Sequence, residues 1–137
     1  MKRIVFLVLV GLIFLTACST GSNSPKSNDN APLATVPAEY AGKTNPFGEE
    51  MAAEGAKIFQ ANCEMCHGPQ GHGDGPAGQS LEPHPKNLVT LQKSVGDDYL
   101  FWRVSEGKPG TSMVAWKGIL GEEQIWQVVS FMRTLNE

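Results

Sequence analysis

Apolar residues recur at helical spacing in two segments of the chain. One covers residues 49–61 and the other residues 122–135, and each places its apolar side chains at intervals of three or four. Between them, residues 97–106 begin with two acids and are followed by Gly107, which are the start and stop signals of a short helix. No segment alternates apolar and polar residues as a half-buried strand would. The pattern predicts an all-α domain of short helices.

The longest apolar run lies near the start of the chain, where residues 4–15 follow Lys2 and Arg3. These 12 residues are too few for a membrane-spanning helix, which needs about 20. They predict a secretory signal peptide. The run leads into Leu-Thr-Ala-Cys ending at Cys18, which resembles a bacterial lipobox. The resemblance implies that residues 1–17 are removed and that Cys18 is lipidated. The alternative is an ordinary signal peptide followed by a chance cysteine.

The stretch after Cys18 is rich in small polar residues. We interpret residues 18–46 as the lipidated cysteine and a flexible linker, and residues 47–137 as the folded domain. A flexible linker of this length spans on the order of 30 Å. Multiple acyl chains give stable membrane anchoring. The sequence therefore predicts an exported protein that is lipid-anchored at the periplasmic or extracytoplasmic face of a membrane.

The charge balance disfavours one class of function. The chain has 11 basic and 14 acidic residues, for a formal net charge of -3. Loss of Lys2 and Arg3 with the signal peptide would leave 9 basic residues and a charge of -5. A nucleic-acid-binding module is normally basic, so we expect no nucleic-acid partner.

The other two cysteines form one motif, Cys63-Glu64-Met65-Cys66-His67, which is the C-x-x-C-H attachment signature of c-type haem. Two thiols at this spacing can add to the vinyl groups on one edge of the porphyrin, and the next residue offers an imidazole to the iron. A redox-active C-x-x-C would be accompanied by a βαβ pattern, and a structural zinc site would need further ligands. The motif predicts one covalent haem c with His67 as an axial ligand.

The chain from residue 49 onwards resembles the bacterial class I monohaem cytochromes c. The resemblance rests on Gly55 and Phe59 before the attachment motif, on the glycine-rich loop at residues 68–77, and on residues 109–116. It implies about three to five short helices wrapped around the haem. It also implies a near-perpendicular crossing of the first and last helices at Gly55, where the missing Cβ lets two backbones approach closely.

Met113 is the candidate for the second axial ligand. It lies in a loop rich in Gly and Pro, at the position where the resembling family places its ligating methionine. Met132 instead fits the apolar face of the last helix, where methionine is a common core residue. His72 and His84 are expected to be exposed loop residues.

The resemblance also implies surroundings for the haem. In that family a proline carbonyl holds the ring N–H of the axial histidine, which fixes the orientation of the ring. Pro76 and Pro85 are the two candidates, and Pro85 is favoured. Leu88 and Trp116 are predicted to contact the haem.

An iron with both axial positions filled by protein has no vacancy for a substrate, which limits it to exchanging one electron. The sequence therefore predicts an electron carrier without enzymatic activity or a small-molecule substrate. Its partners would be redox proteins of respiratory or photosynthetic membrane complexes. The alternatives are a gas-binding sensor with a labile Met113 and a small haem peroxidase. Lys86, Lys108 and Lys117 are either a positive rim at the haem edge or ordinary solvated lysines.

Overall fold

A computed structural model describes residues 32–136, and this part of the chain is helical. Its five α-helices are α1 (Ala52–Asn62), α2 (Glu64–His67), α3 (Leu88–Ser94), α4 (Asp97–Glu106) and α5 (Glu122–Thr134). Two single 3-10 turns, Glu49–Met51 and Gly78–Ser80, complete the described elements. No β-strand occurs within residues 32–136, where only an isolated bridge joins Lys117 and Leu120. The all-α prediction is confirmed.

Helices α1 and α5 form the most extensive helix pair of the described residues, and Gly55 lies at their contact. A Cβ atom on Gly55 would lie 1.9 Å from the carbonyl oxygen of Gln127 and 3.0 Å from the Cβ of Phe131. One turn further along α1, the ring of Phe59 packs 5.0 Å from the ring of Phe131. The predicted close approach of the first and last helices at Gly55 is therefore confirmed.

The core lies between α4, α5 and the helices that pack on them. The ring of Phe101 on α4 stacks on Trp126 of α5 with centroids 4.0 Å apart. The residues predicted to form the apolar face of the last helix are all buried: Ile125, Val128, Val129, Met132 and Leu135. This arrangement fixes α4 against α5 and leaves the loop before α3 and the loop after α4 to complete the site.

Arg133 ties the end of α5 to the segment between α3 and α4. Its Nε and Nη2 atoms lie 2.8 and 2.7 Å from Oδ1 of Asp97. Nη2 also donates to the carbonyl of Val95 at 3.0 Å, and Nη1 donates to the carbonyl of Gln92. Because the side chains of Arg133 and Asp97 are only 27% and 28% exposed, this network is partly shielded from water.

Replacing Arg133 with methionine should lower the free energy of unfolding by about 2 kcal/mol, because Asp97 and two carbonyls lose their donor. Thermal and denaturant unfolding of the haem-loaded protein would measure the change. Lys57→Met is the matched control, since it breaks an exposed ion pair with Glu54 and should cost less than about 0.5 kcal/mol. Equal losses in the two variants would contradict the structural role of Arg133.

The structure corrects the C-terminal part of the predicted flexible linker, residues 18–46. Tyr40 is 6% exposed, and its ring lies 6.1 Å from that of Phe101. The side-chain amide of Asn45 donates to the carbonyl of Trp126 at 3.2 Å and to Oγ of Ser130 at 2.9 Å. We call residues 32–47 the N-terminal strap. The packed domain therefore begins before residue 47, and a single tyrosine gives no periodic signal of this.

The predicted signal peptide, Cys18 and the first part of the linker lie outside the described residues. They stay predictions from the sequence. Within residues 32–136, none of the helices has both the length and the apolar character that crossing a membrane requires.

Candidate haem-binding site

A cavity of about 310 Å³ opens among α1, α4, α5 and the loops between them. Three separate segments bring to its lining every side chain that the sequence predicts near a haem: Cys63, Cys66, His67, Pro85, Leu88, Met113 and Trp116. Most of the remaining lining is apolar and comes from the helices, the loops and the start of the described chain. The cavity therefore joins the attachment motif to the loop that carries Met113.

The attachment motif lies at the junction of α1 and α2. Cys63 ends α1, with its backbone N–H donating to the carbonyl of Phe59 at 2.7 Å. The N–H groups of Cys66 and His67 then donate to the carbonyl of Cys63 at 3.1 and 2.9 Å. Residues three and four apart on such a turn share one face. Both thiols and the imidazole thus line the cavity, whereas Met65 points to solvent.

The thiol of Cys63 does not have the character of a redox-active cysteine. Burial, reinforced by the neighbouring Cys66, raises the pKa of Cys63 to about 12. Redox-active thiols have pKa values lowered below the ordinary range. Within the described residues, no three His, Cys, Asp or Glu side chains are grouped to hold a metal ion, so a zinc site has no ligand set there.

The glycine-rich loop wraps closely around the backbone of α2. A Cβ atom on Gly75 would lie 2.5 Å from the carbonyl oxygen of Met65, and one on Gly78 would lie 2.2 Å from that of Cys66. The N–H of Gly73 donates to the carbonyl of His67 at 2.8 Å. The glycines therefore allow this loop to hold the attachment motif in place.

The structure corrects the predicted partner of the His67 ring. Nδ1 of His67 lies 3.3 Å from the carbonyl oxygen of Lys86. Its partner is therefore neither of the two predicted residues, Pro76 and Pro85. The Pro85 carbonyl instead lies against Gly73, where a Cβ atom would be 2.5 Å from its oxygen. Burial lowers the pKa of His67, and the Lys86 carbonyl partly opposes this effect. A neutral ring with Nδ1 at this carbonyl keeps Nε2 available to a metal.

Met113 lies in a loop that folds back onto the end of α4. We call residues 107–117 the Met113 loop. The Met113 carbonyl accepts from the N–H of Lys108 at 2.9 Å, and the N–H of Trp116 donates to the carbonyl of Val104 at 3.2 Å. Gly107 starts the loop at a φ of +64°, and a Cβ there would lie 2.5 Å from the Met113 oxygen. Glycine is required because both the backbone angle and the space exclude a side chain.

The cavity lining has a distinct charge. Among the described residues that line it there is no aspartate or glutamate, whereas Lys86, Arg103 and Lys108 all contribute. The guanidinium of Arg103 lies 3.8 Å from the ring centre of Trp102 and donates to the carbonyl of Gly107 at 3.4 Å. A haem carries two propionate carboxylates, so a lining with cations and no carboxylates fits this cofactor.

Two features of this lining differ from the sequence-based expectations. His84 is half-buried in the lining, with Nδ1 lying 3.1 Å from the carbonyl of Gly78, although it was expected to be an exposed loop residue. Lys117 does not line the cavity and pairs with Glu106 at 3.2 Å, so it is not part of a free positive rim. A histidine between two prolines gives no sequence signal of burial.

The helical fold, the attachment motif and the cavity together define a class I monohaem cytochrome c. The chain belongs to the family of cytochrome c oxidase, cbb3-type, subunit III, whose model matches residues 50–132. It is 33% identical over 108 residues to the cbb3-type cytochrome c oxidase subunit FixPc of Rhizobium leguminosarum bv. viciae. That match covers 77% of this chain and 36% of the relative, so the chain spans about a third of its length.

Two solved structures share the fold at 22% sequence identity. One is the Kuenenia stuttgartiensis reducing HAO-like protein complex Kustc0457/Kustc0458, with a TM-score of 0.60 over 77% of this chain and 50% of that one. The other is the KustC0563 c-type cytochrome, with a TM-score of 0.50 over 61% of this chain and 98% of that one. These two structures support the fold, and the family match confirms the predicted class. The family match indicates that the cofactor is a covalently bound haem c.

Proposed function

We propose that the haem c of this protein is attached through Cys63 and Cys66, with His67 and Met113 as the axial ligands of its iron. The observation that carries the proposal is that one cavity is lined by all four side chains, although Met113 comes from a distant loop. When bound, the haem supplies a one-electron Fe(II)/Fe(III) couple. With both axial positions filled, the protein would exchange electrons and not bind a substrate at the iron.

The residues around the cavity would serve this role in separate ways. The Lys86 carbonyl orients the ring of His67. The buried side chains of Leu88, Leu100 and Val128 keep water away, which lowers the polarity around the iron. Thioether ligation by Met113 would stabilise the reduced iron and raise the reduction potential. These contributions favour a carrier over a gas sensor or a peroxidase, both of which need a labile or open sixth position.

An optical spectrum and a redox titration of the mature haem-loaded protein would test the proposal. We expect the far-red band of methionine-ligated ferric haem, a one-electron titration, and no spectral change when carbon monoxide is added to the reduced protein. A high-spin ferric spectrum that changes on adding a ligand would overturn the His67/Met113 assignment. It would favour the sensor or peroxidase alternatives.

We also propose that the carrier serves a membrane-bound respiratory complex. Two similar proteins support the proposal. The Rhizobium relative is a cbb3-type oxidase subunit, and one of the two structures with the same fold is a reducing HAO-like complex. A net charge of -5 after signal-peptide removal suits a partner with a basic docking face. Purification from native membranes in mild detergent should recover a multi-subunit redox complex with the protein. Recovery of the protein alone under several mild detergents would count against a fixed subunit.

Membrane attachment through a lipid on Cys18 is the last part of the proposal. Cys18→Ser should move the protein from the membrane to the soluble extracytoplasmic fraction and abolish incorporation of labelled palmitate, because the acylated thiol is lost. Ser19→Ala is the matched control and should remain in the membrane. A Cys18→Ser variant that stays membrane-bound would show that another segment or a partner holds the protein.

A further inference from the structure

Three residues from distant segments meet at the base of the Met113 loop. Tyr40 lies in the N-terminal strap, Glu106 is the last residue of α4, and Lys117 ends the Met113 loop. The hydroxyl of Tyr40 donates a hydrogen bond to Oε1 of Glu106. Nζ of Lys117 donates to the same carboxylate oxygen at 3.2 Å. We call these three side chains the clasp.

We propose that the clasp holds the Met113 loop closed over the haem cavity, which makes Tyr40, Glu106 and Lys117 positioning residues for the sulfur of Met113. The inference rests on the proposed ligation by Met113 and extends it to residues outside the cavity. None of the three side chains is part of the cavity lining. Their effect on the haem would be exerted through the position of the loop.

The clasp is placed where it controls both ends of the loop. The loop leaves α4 directly after Glu106 and returns to it at Lys117, whose backbone N–H donates to the carbonyl of Ser105 at 3.0 Å. Between these ends the loop has no regular helix, and Val114 next to Met113 is exposed. Segments with few buried apolar contacts open readily unless their ends are held. Closing the base therefore limits how far Met113 can move.

The three side chains contribute unequally. Tyr40 is almost fully buried, and burial together with Glu106 raises its pKa, so its hydroxyl remains a donor at neutral pH. The Lys117–Glu106 pair is 68% and 41% exposed, and exposed ion pairs contribute little. The hydrogen bond from Tyr40 is partly buried and has a charged acceptor, and such bonds contribute more than exposed ion pairs. Most of the holding effect is thus assigned to the bond between Tyr40 and Glu106.

Hydrogen bonds hold the strap against α4, and this fixes the position of Tyr40. The N–H of Gly42 donates to Oδ2 of Asp98 at 2.9 Å, and the N–H of Asn45 donates to Oδ2 of Asp97 at 3.1 Å. These bonds join the strap to the first turn of α4, while Tyr40 reaches the last residue of the same helix. The start of the strap, at Pro32 and Leu33, lines the same cavity as Met113. The strap therefore connects the whole length of α4 to the Met113 loop.

Tyr40→Phe in the full haem-loaded protein tests the inference, because it removes the hydroxyl and keeps the buried ring. We expect cyanide to displace the sixth ligand of the oxidised protein about tenfold faster, since loss of such a hydrogen bond changes an opening equilibrium by roughly this factor. Amide hydrogen exchange at Trp116 and Lys117 should accelerate by a similar factor. Lys117→Met should accelerate both by less than about threefold.

Two controls separate a local effect from general destabilisation. Glu54→Gln removes an exposed ion-pair partner on α1 and should change neither rate. Amides within α5, such as that of Val129, should exchange equally in wild type and in Tyr40→Phe. Unchanged loop exchange in Tyr40→Phe, or equal acceleration in the loop and in α5, would overturn the clasp. Absence of the far-red band in wild type would refute Met113 ligation, whereas loop exchange would still decide whether the clasp holds the loop.

Discussion

Met113→Ala should lower the reduction potential by on the order of 100 mV, since axial ligands set haem potentials over a range of about 0.8 V. The thioether stabilises the reduced iron, and alanine cannot replace it. Losing this ligand also opens the sixth position, so the reduced variant should bind carbon monoxide and the oxidised variant should lose its far-red band. Equilibrium redox titration and optical spectroscopy would measure these effects.

Two further methionine variants test whether these effects are specific to Met113. Met51→Leu is the control, because Met51 lies outside the cavity lining and should leave both the potential and the band unchanged. Met132 is a rival, since it is buried and does line the cavity. If Met132→Leu abolished the far-red band while Met113→Ala retained it, Met132 would be the ligand and the assignment of Met113 would be wrong.

Gly55→Ala should lower the free energy of unfolding by about 3 kcal/mol, at the upper end of the cost of overpacking. The added Cβ would lie 1.9 Å from the carbonyl oxygen of Gln127, and backbone cannot move aside as a flexible side chain can. Helix propensity alone predicts the opposite sign, because alanine is favoured over glycine in a helix by about 0.5–1 kcal/mol. Denaturant unfolding of the haem-loaded variant would therefore decide which effect dominates.

Gly121→Ala is the matched control for Gly55→Ala. Gly121 has a φ of -67°, and a Cβ there would lie 3.6 Å from Oε1 of Gln124, which is an ordinary contact distance. The cost at this helix start should be below about 1 kcal/mol. A Gly55→Ala variant as stable as wild type would mean that α1 and α5 can separate without loss.

Local signals explain how much of the fold could be predicted. The sequence predicts helix α4 at its observed bounds because two acids form its start and Gly107 follows its end. The last helix was predicted within one residue because its apolar positions repeat at helical spacing. Helix α3 was not predicted, since its seven residues are too few to show a periodic pattern. The attachment motif was found because its chemistry is confined to five consecutive residues.

Long-range contacts between backbone and side chains could not be predicted in the same way. The carbonyl at the His67 ring belongs to Lys86, one residue beyond the favoured proline. Because every residue has a backbone carbonyl, the sequence cannot show which one lies at the ring. The buried place of Tyr40 depends on contacts with Phe101 and Glu106, more than 60 residues away. Neither of these two contacts produces a recognisable pattern in the neighbouring sequence.

Packing of the N-terminal strap would limit how far a lipid-anchored domain could move from the bilayer. With the proposed anchor at Cys18, the predicted linker would shorten to residues 19–31, and a flexible chain of 13 residues would have a root-mean-square extension of about 20 Å. Because Pro32 and Leu33 lie at the haem cavity, that opening is the part of the domain closest to the linker. An electron donor or acceptor would then need to hold its own redox centre close to the lipid headgroups. A redox centre far from the membrane surface would be out of reach.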